Sequence, residues 1–407
     1  MTKSFKLTTI QDYAKVVGDE TVDRILKKAK QLENLHVVNV NSTGYGGGVA
    51  EILSSMTILM NGLNILTGWR TIIGRPDFFL ITKNMHNAIQ GGEMDLTEEK
   101  KRIYEEVVYE NSVRIHLHNH DLVIIHDPQP LPMIEYYVRS RPWIWRCHID
   151  LSNPHPGLWN YLKGFVDKYD VMISSIKEYK QDVAPPQRFC MPAIDPFSVK
   201  NLPLDEKVMD AKLAEYKIPT DKPIFCQVSR FDRWKDPQGV IEAFRKAQKE
   251  VDATLVLLGN AATDDPEGEE VFESLLHSQN DRIRILPYGD DTILVNALQS
   301  RAACVIQKST KEGFGLTVTE ALWKGTPVIG GNVGGIRYQI QDGENGYLVS
   351  SVDECAARIV TLAKDKDLRE RMGKQAKEGV RKNFLLSRLL EQYLDLFIEV
   401  KESVVKG

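Results

Sequence analysis

Lys311-Glu312-Gly313-Phe314-Gly315-Leu316-Thr317-Val318-Thr319-Glu320-Ala321-Leu322 follows the apolar run Ala303–Gln307, and the two together read as a strand that turns through glycines into a helix. Short Val- and Ile-rich runs alternate with helical-period stretches from Leu35 to about Tyr347. That alternation is the mark of parallel α/β sheets, so the expected fold is doubly wound. In the first half the expected strands are Leu35–Asn41, Ile65–Ile72, Leu122–His126, Trp143–His148 and Val171–Ser174, with helical patterns after Gly47, Asp95, Pro130 and Gly157. In the second half they are Ile224–Ser229, Thr254–Gly259, Arg282–Leu286, Ala303–Gln307 and Pro327–Gly330.

A chain of 407 residues exceeds the roughly 100–200 typical of one domain, so two domains are expected. Prolines punctuate an extended segment from Pro192-Ala193-Ile194-Asp195-Pro196 to Asn201-Leu202-Pro203-Leu204-Asp205, after which a charged helix begins. The expected division is 1–198, 199–383 and a terminal helix over 384–407, whose apolar stripe Leu386, Leu389, Leu390, Tyr393, Phe397 and Val400 must dock on one of the domains.

With 52 Lys+Arg against 56 Asp+Glu the formal charge is −4, which argues against bulk electrostatic binding to nucleic acid or an anionic membrane. No apolar run approaches the roughly 18–20 residues that span a bilayer, and the first residues carry no secretory pattern, so a cytoplasmic protein is expected. The five cysteines, Cys147, Cys190, Cys226, Cys304 and Cys355, are scattered without any Cys-x-x-Cys and read as reduced, buried thiols.

Four constellations carry chemistry. In the opening stretch, Glu312 lies in the loop and Glu320 more than one turn inside a helix starting near Gly315, while Gly313 and Gly315 clear space for backbone N–H groups to approach an anion. In Gln227-Val228-Ser229-Arg230-Phe231-Asp232-Arg233-Trp234-Lys235-Asp236-Pro237, Arg230 and Lys235 follow the first strand of the second half, where open α/β sheets bind ligands and where two cations suit a diphosphate; Arg233 reads as a solvated neighbour. Ser42-Thr43-Gly44-Tyr45-Gly46-Gly47-Gly48 is a glycine loop between strand and helix, but it does not spell Gly-x-Gly-x-x-Gly and no acid follows at the usual offset, which disfavours a dinucleotide cofactor. Ile125-His126-Asp127-Pro128-Gln129 and Arg146-Cys147-His148-Ile149-Asp150 each place a histidine and an acid where a sheet opens. The histidines of His116-Leu117-His118-Asn119-His120 lack the accompanying ligands of a metal site and read as structural.

Taken together these pieces resemble the retaining GT-B glycosyltransferases of family 4. Glu312 and Glu320 match that group's spaced glutamates, Arg230 and Lys235 its diphosphate pair, Gly46-Gly47 its N-terminal glycine loop, and Pro192 to Pro196 its interdomain passage. Gly46 to Leu53, His126-Asp127-Pro128-Gln129 and Trp145 to Asp150 resemble, more narrowly, the trehalose glycosyltransferring synthases. The resemblance implies two Rossmann-like domains facing a central cleft, with the terminal helix returning to the N-terminal, acceptor-side one. It implies a reversible glucosyltransferase that joins a nucleoside-diphosphate glucose, whether UDP-, ADP- or GDP-linked, to glucose to give trehalose, with a homodimer left open.

Carried over by position, Glu320 would bind the ribose hydroxyls and Glu312 the donor sugar. Arg230 and Lys235 would neutralise the diphosphate. Gly46, Gly47 and the backbone from Phe314 through Gly315 and Leu316 to Thr317 would donate N–H groups. His148 would touch the 6-hydroxyl of the donor sugar, Asp127 the sugar or acceptor, and the strand around Ile285 would lie near the base. A departure is Lys235-Asp236-Pro237, where many relatives have Lys-Gly; the acid is expected to weaken phosphate attraction. No cofactor and no metal are required, since the one Asp-x-Asp string, Asp365-Lys366-Asp367, reads as a solvated helical face. Two alternatives stand beside this reading: a trehalose phosphorylase, and a noncatalytic nucleotide-sugar sensor.

Overall fold

The structure, a computed structural model, describes residues 7–138, 140–259, 268–287, 289 and 291–406, with 404–406 described by their backbone alone. The chain divides into two compact units, Met1–Ala193 with Leu385–Gly407, and Ile194–Phe384.

The first unit runs α1 (Ala14–Val17), α2 (Asp19–Ala29), β1 (His36–Asn41), α3 (Gly48–Gly62), β2 (Leu66–Thr71), α4 (Pro76–Ile89), α5 (Glu98–Arg114), β3 (Leu122–His126), β4 (Trp143–Arg146), α6 (Pro156–Val166), β5 (Val171–Ser174) and β6 (Gln187–Phe189). Among the described residues the sheet order is β2-β1-β3-β4-β5-β6, every pairing parallel. Strands buried on both faces explain the continuous apolar runs: every side chain of Leu122-Val123-Ile124-Ile125-His126 is buried. The terminal helix, Leu386–Lys406, packs on this unit. It buries Leu389, Leu390, Leu394 and Phe397, and pairs Glu391 with Arg24 at 3.2 Å and with Lys28 at 2.9 Å.

The second unit runs α7 (Glu206–Glu215), β7 (Ile224–Val228), α8 (Pro237–Ala247), β8 (Thr254–Gly259), α9 (Gly268–Leu275), β9 (Ile283–Pro287), α10 (Thr292–Arg301), β10 (Cys304–Gln307), α11 (Leu316–Trp323), β11 (Val328–Gly331), β12 (Gly346–Val349), α12 (Val352–Lys364) and α13 (Lys366–Asn383). Its sheet order is β12-β11-β10-β7-β8-β9, again parallel throughout. The order reverses between β7 and β10 here and between β1 and β3 in the first unit. Such reversals open a crevice at the carboxyl ends of the strands, where open α/β sheets hold their ligands.

Several elements differ from the sequence reading. The expected strand Trp143–His148 stops at Arg146, because the next strand-end N–H, that of His148, is taken by the Asp127 carboxylate at 2.7 Å. After Pro130 there is no α-helix but a 3-10 stretch, Leu131–Glu135. Pro130 and Pro132 lack the N–H groups an α ladder needs, so the bonds close over three residues, as from Met133 N–H to Pro130 O at 3.0 Å. The structure adds α4 and the short strands β6 and β12, which lie at sheet edges and carry no long apolar run. All five cysteines are buried and free.

Candidate functional site

In the second unit the two loops at the strand-order reversal carry the expected residues. The loop after β7 presents Arg230, one-third exposed and 3.6 Å from Asp232. Asp232 Oδ1 accepts the Trp234 N–H at 2.8 Å, which starts the 3-10 turn Arg233–Lys235, and Gln227 Nε2 donates to Lys235 O at 2.7 Å. These bonds hold the Lys235 backbone while its side chain reaches the neighbouring loop. There Lys235 Nζ lies 2.5 Å from Glu312 Oε2, which also accepts from Ser309 Oγ at 3.3 Å. The structure therefore brings together a cation and a carboxylate that lie 77 residues apart.

Glu312 and Glu320 are both buried, and each has its own lysine. Glu320, on α11, lies 3.4 Å from Lys200 Nζ and accepts from Gln299 Nε2 at 3.3 Å. Between them Gly315 is the N-cap of α11, at φ +86°, and a Cβ there would come within 3.2 Å of Glu312 Cγ. Glycine is therefore required twice over, for the left-handed turn and for the close approach. The helix begins at Leu316, so the N–H groups of Leu316 and Thr317 are among the donors that an α-helix leaves without intrahelical partners. Phe314 contributes backbone rather than side chain, since its ring is buried against Phe384.

The expectation about Asp236 needs correction, and that about Ile285 concerns its backbone. The Ile285 side chain is buried in the core of the second unit and its N–H donates to Gln279 Oε1 at 3.2 Å, so only its carbonyl is left to meet a ligand. Asp236 is not an uncompensated acid beside Lys235: its carboxylate pairs with Lys308 and accepts the Gly239 N–H at 3.1 Å as the N-cap of α8. Asp236 sits at φ +50°, the left-handed region that glycine adopts without cost and that Asp tolerates better than most residues.

In the first unit Gly46 and Gly47 have φ of +71° and +84°, and a Cβ on either would meet nothing within 4 Å. The loop is open, and its glycines are demanded by backbone conformation rather than crowding. Asp127 follows β3 at φ +61°, and its Oδ1 accepts the His148 N–H. Asp127 thus aims the residue that was expected beside it. His148 Nε2 lies 3.0 Å from His126 Nδ1, with the two ring planes within 18° of parallel and their centroids 5.3 Å apart, and His126 Nε2 lies 2.9 Å from Asn39 Oδ1. Burial, and secondly the Arg146 guanidinium, hold His126 at about 3 and push His148 well below the ordinary histidine range, so both rings are neutral near pH 7. Arg146 is itself buried and donates to Ser174 O at 2.8 Å and Cys190 O at 2.6 Å. Asn39, His126, Arg146 and His148 line a cavity of about 10 Å³ with Leu389 and Tyr393 of the terminal helix.

The residues the sequence reading lacked are Lys200, Gln299, Ser309, Lys308, Arg146 and Asn39. Of these Asn39 had a readable sign, since Val38-Asn39-Val40-Asn41 sets amides in a buried parallel strand, where each needs a partner. Among the described residues no group of three or more His, Cys, Asp or Glu is arranged to hold a metal ion, and no helix is long and apolar enough to cross a membrane.

Residues 39–181 match the model of the trehalose synthase N-terminal domain, and residues 208–379 that of the glycosyl transferases group 1. The chain is 43% identical over 395 residues to the trehalose synthase of Thermococcus litoralis, covering 95% of this chain and 96% of that one. It is 44% identical to the trehalose synthase of Pyrococcus horikoshii, covering 95% of each. The crystal structure of Anabaena HepE in complex with UDP and glucose superposes with a TM-score of 0.69 at 16% identity, over 90% of this chain and 100% of that one, which establishes a shared fold.

Proposed function

The chain belongs to the trehalose synthase family of GT-B glycosyltransferases, and from that membership we propose that it transfers glucose from a nucleoside-diphosphate glucose to free glucose, with retention, giving α,α-1,1-linked trehalose, and runs in reverse. The observation that carries the proposal is the Lys235–Glu312 pair placed beside the glycine-capped start of α11, at the strand-order reversal of the second sheet. A diphosphate needs cations and N–H donors, a sugar needs a carboxylate acceptor, and these three stand together there.

Within the second unit, Arg230, Lys235 and the N–H groups of Leu316 and Thr317 would meet the diphosphate, and Glu320 the ribose hydroxyls. Glu312 would accept hydroxyls of the donor sugar. Within the first unit, His148 would meet the 6-hydroxyl, aimed by Asp127, while the left-handed glycines Gly46 and Gly47 would let backbone N–H groups come close. Transfer breaks the bond from the anomeric carbon to the diphosphate oxygen and forms a bond to the acceptor hydroxyl oxygen on the same face. The acceptor's proton passes to the leaving phosphate oxygen. The positive charges of Arg230 and Lys235 stabilise the charge that develops on the diphosphate, so a metal ion is not needed for that task.

Incubation with glucose and each of ADP-, UDP- and GDP-glucose, with released nucleoside diphosphate and disaccharide followed by chromatography, tests the proposal. Trehalose formed in step with nucleoside diphosphate is the expected result. Product with another acceptor but none with glucose removes the trehalose assignment. Cleavage of trehalose by inorganic phosphate alone would identify a phosphorylase.

A further inference from the structure

The geometry points to Asn39 and His126 as positioning residues that fix the tautomer of His148, leaving its proton on Nε2 and its Nδ1 as a hydrogen-bond acceptor. The inference rests on the proposed sugar contact of His148 only for its consequence in catalysis; the tautomer itself follows from the hydrogen bonds.

The hydrogen bonds run along three side chains, Asn39, His126 and His148. Asn39 Oδ1 is an amide oxygen and can only accept, so the 2.9 Å contact requires a proton on His126 Nε2. His126 is buried to within 1% of full exclusion from solvent, and a neutral imidazole carries one proton, so its Nδ1 is bare. The 3.0 Å contact from His126 Nδ1 to His148 Nε2 is then a hydrogen bond only if His148 donates, which places the proton of His148 on Nε2. The Arg146 guanidinium lines the same cavity and opposes a second proton on either ring, so the chain is not scrambled by protonation. Parallel pairing sets the order: Asn39 is level with Ile124 on β3, and His126 with Arg146 on β4. His148 Nδ1 is the polar ring atom that no described residue engages.

The consequence is a direction for the sugar contact. A bare Nδ1 accepts a hydrogen bond from a sugar hydroxyl and cannot donate one, so a donor whose 6-hydroxyl is replaced by fluorine offers it nothing. Without Asn39, His126 loses the bond that orders its protons, and His148 divides between two tautomers, of which one presents N–H to the hydroxyl.

The test is the two-bond proton–nitrogen correlation spectrum of the full chain labelled with ¹⁵N-histidine, at pH 8, with the signals of His126 and His148 assigned by their loss in His126→Gln and His148→Gln. Both rings are expected as the Nε2–H form. A His148 signal of the Nδ1–H form overturns the inference whether or not the protein proves active, so its failure is separate from failure of the proposed reaction. Asn39→Leu, which keeps the volume, is expected to move His148 to averaged nitrogen shifts and to lower kcat about tenfold while KM for the nucleotide donor changes little. Asn39→Asp keeps an acceptor in place and is expected to keep the wild-type pattern, including where Asn39→Leu folds poorly. An unchanged His148 tautomer in a folded Asn39→Leu protein, or a lost one in Asn39→Asp, would remove Asn39 from the chain of positioning.

Discussion

Lys235 Nζ and Glu312 Oε2 stand 2.5 Å apart, with side chains only 16% and 10% exposed. A cation expected to meet a diphosphate is thus already paired with the carboxylate expected to meet the sugar. In the absence of ligand the pair offsets the cost of holding either charge out of water. With a nucleotide sugar bound, the same contact would set the distance between the phosphate-binding and sugar-binding groups.

Lys235→Met is expected to lower kcat/KM about 10²–10³-fold, the loss typical of one charge-stabilising group. Glu312→Gln should lower it as well, and the double variant should lose far less than the product of the single losses, because each single change strands a buried partner. Steady-state kinetics of the three proteins check this. Full recovery of activity in the double variant would mean that the pair is only structural.

Glu320→Ala should raise KM for the nucleotide sugar about tenfold or more, the value of a hydrogen bond to a charged group. Its loss also leaves Lys200 without its carboxylate at 3.4 Å. Initial rates against donor concentration check this, and an unchanged KM would exclude a ribose contact at Glu320.

The neutral histidines give stability a direction with pH. His126 has a folded value of about 3 against an ordinary one near 6.5, so between those values the unfolded chain binds a proton that the folded one does not. The His126 contribution is level above about pH 6.5 and falls as pH drops below it, by up to about 1.4 kcal/mol per pH unit. His148, also depressed, adds a slope of the same sign. Urea midpoints measured from pH 7.5 to 5 check this, and His126→Gln should make the decline shallower.

Asp236→Ala should destabilise more than Asp236→Gly, by about 1–2 kcal/mol, because only alanine pays for the left-handed conformation at φ +50°. Both variants leave the buried Lys308 without its carboxylate, so both should be less stable than the natural protein. Denaturant midpoints give the order.

The two sheets were largely legible because buried parallel strands are nearly continuous runs of Val, Ile and Leu: Leu122–His126, Val171–Ser174 and Thr254–Gly259 end where the sequence reading ends them. Edge strands were not, since Gln187-Arg188-Phe189 needs only one neighbour and no apolar face. In the candidate site, residues carried by local motifs were readable: the Glu312 to Glu320 junction, Arg230 with Lys235, and the glycine loop. What could not be read were contacts made by the sheet itself. Nothing local announces that Asn39 meets His126 across 87 residues, or that Lys200 meets Glu320 across 120. Parallel pairing brings the first two together, and no spacing rule encodes it. Asp236 shows the converse: its charge suggested repulsion, whereas its conformation and its partner Lys308 give it a structural task.

Retaining transfer of glucose from a nucleotide donor to glucose is tested by NMR of the disaccharide made from nucleotide glucose labelled with ¹³C at the anomeric carbon. The expected spectrum has a single labelled anomeric signal of α type, identical to that of α,α-trehalose, appearing in step with the nucleoside diphosphate. A β-type labelled anomeric carbon, or label released only as free glucose, would contradict it.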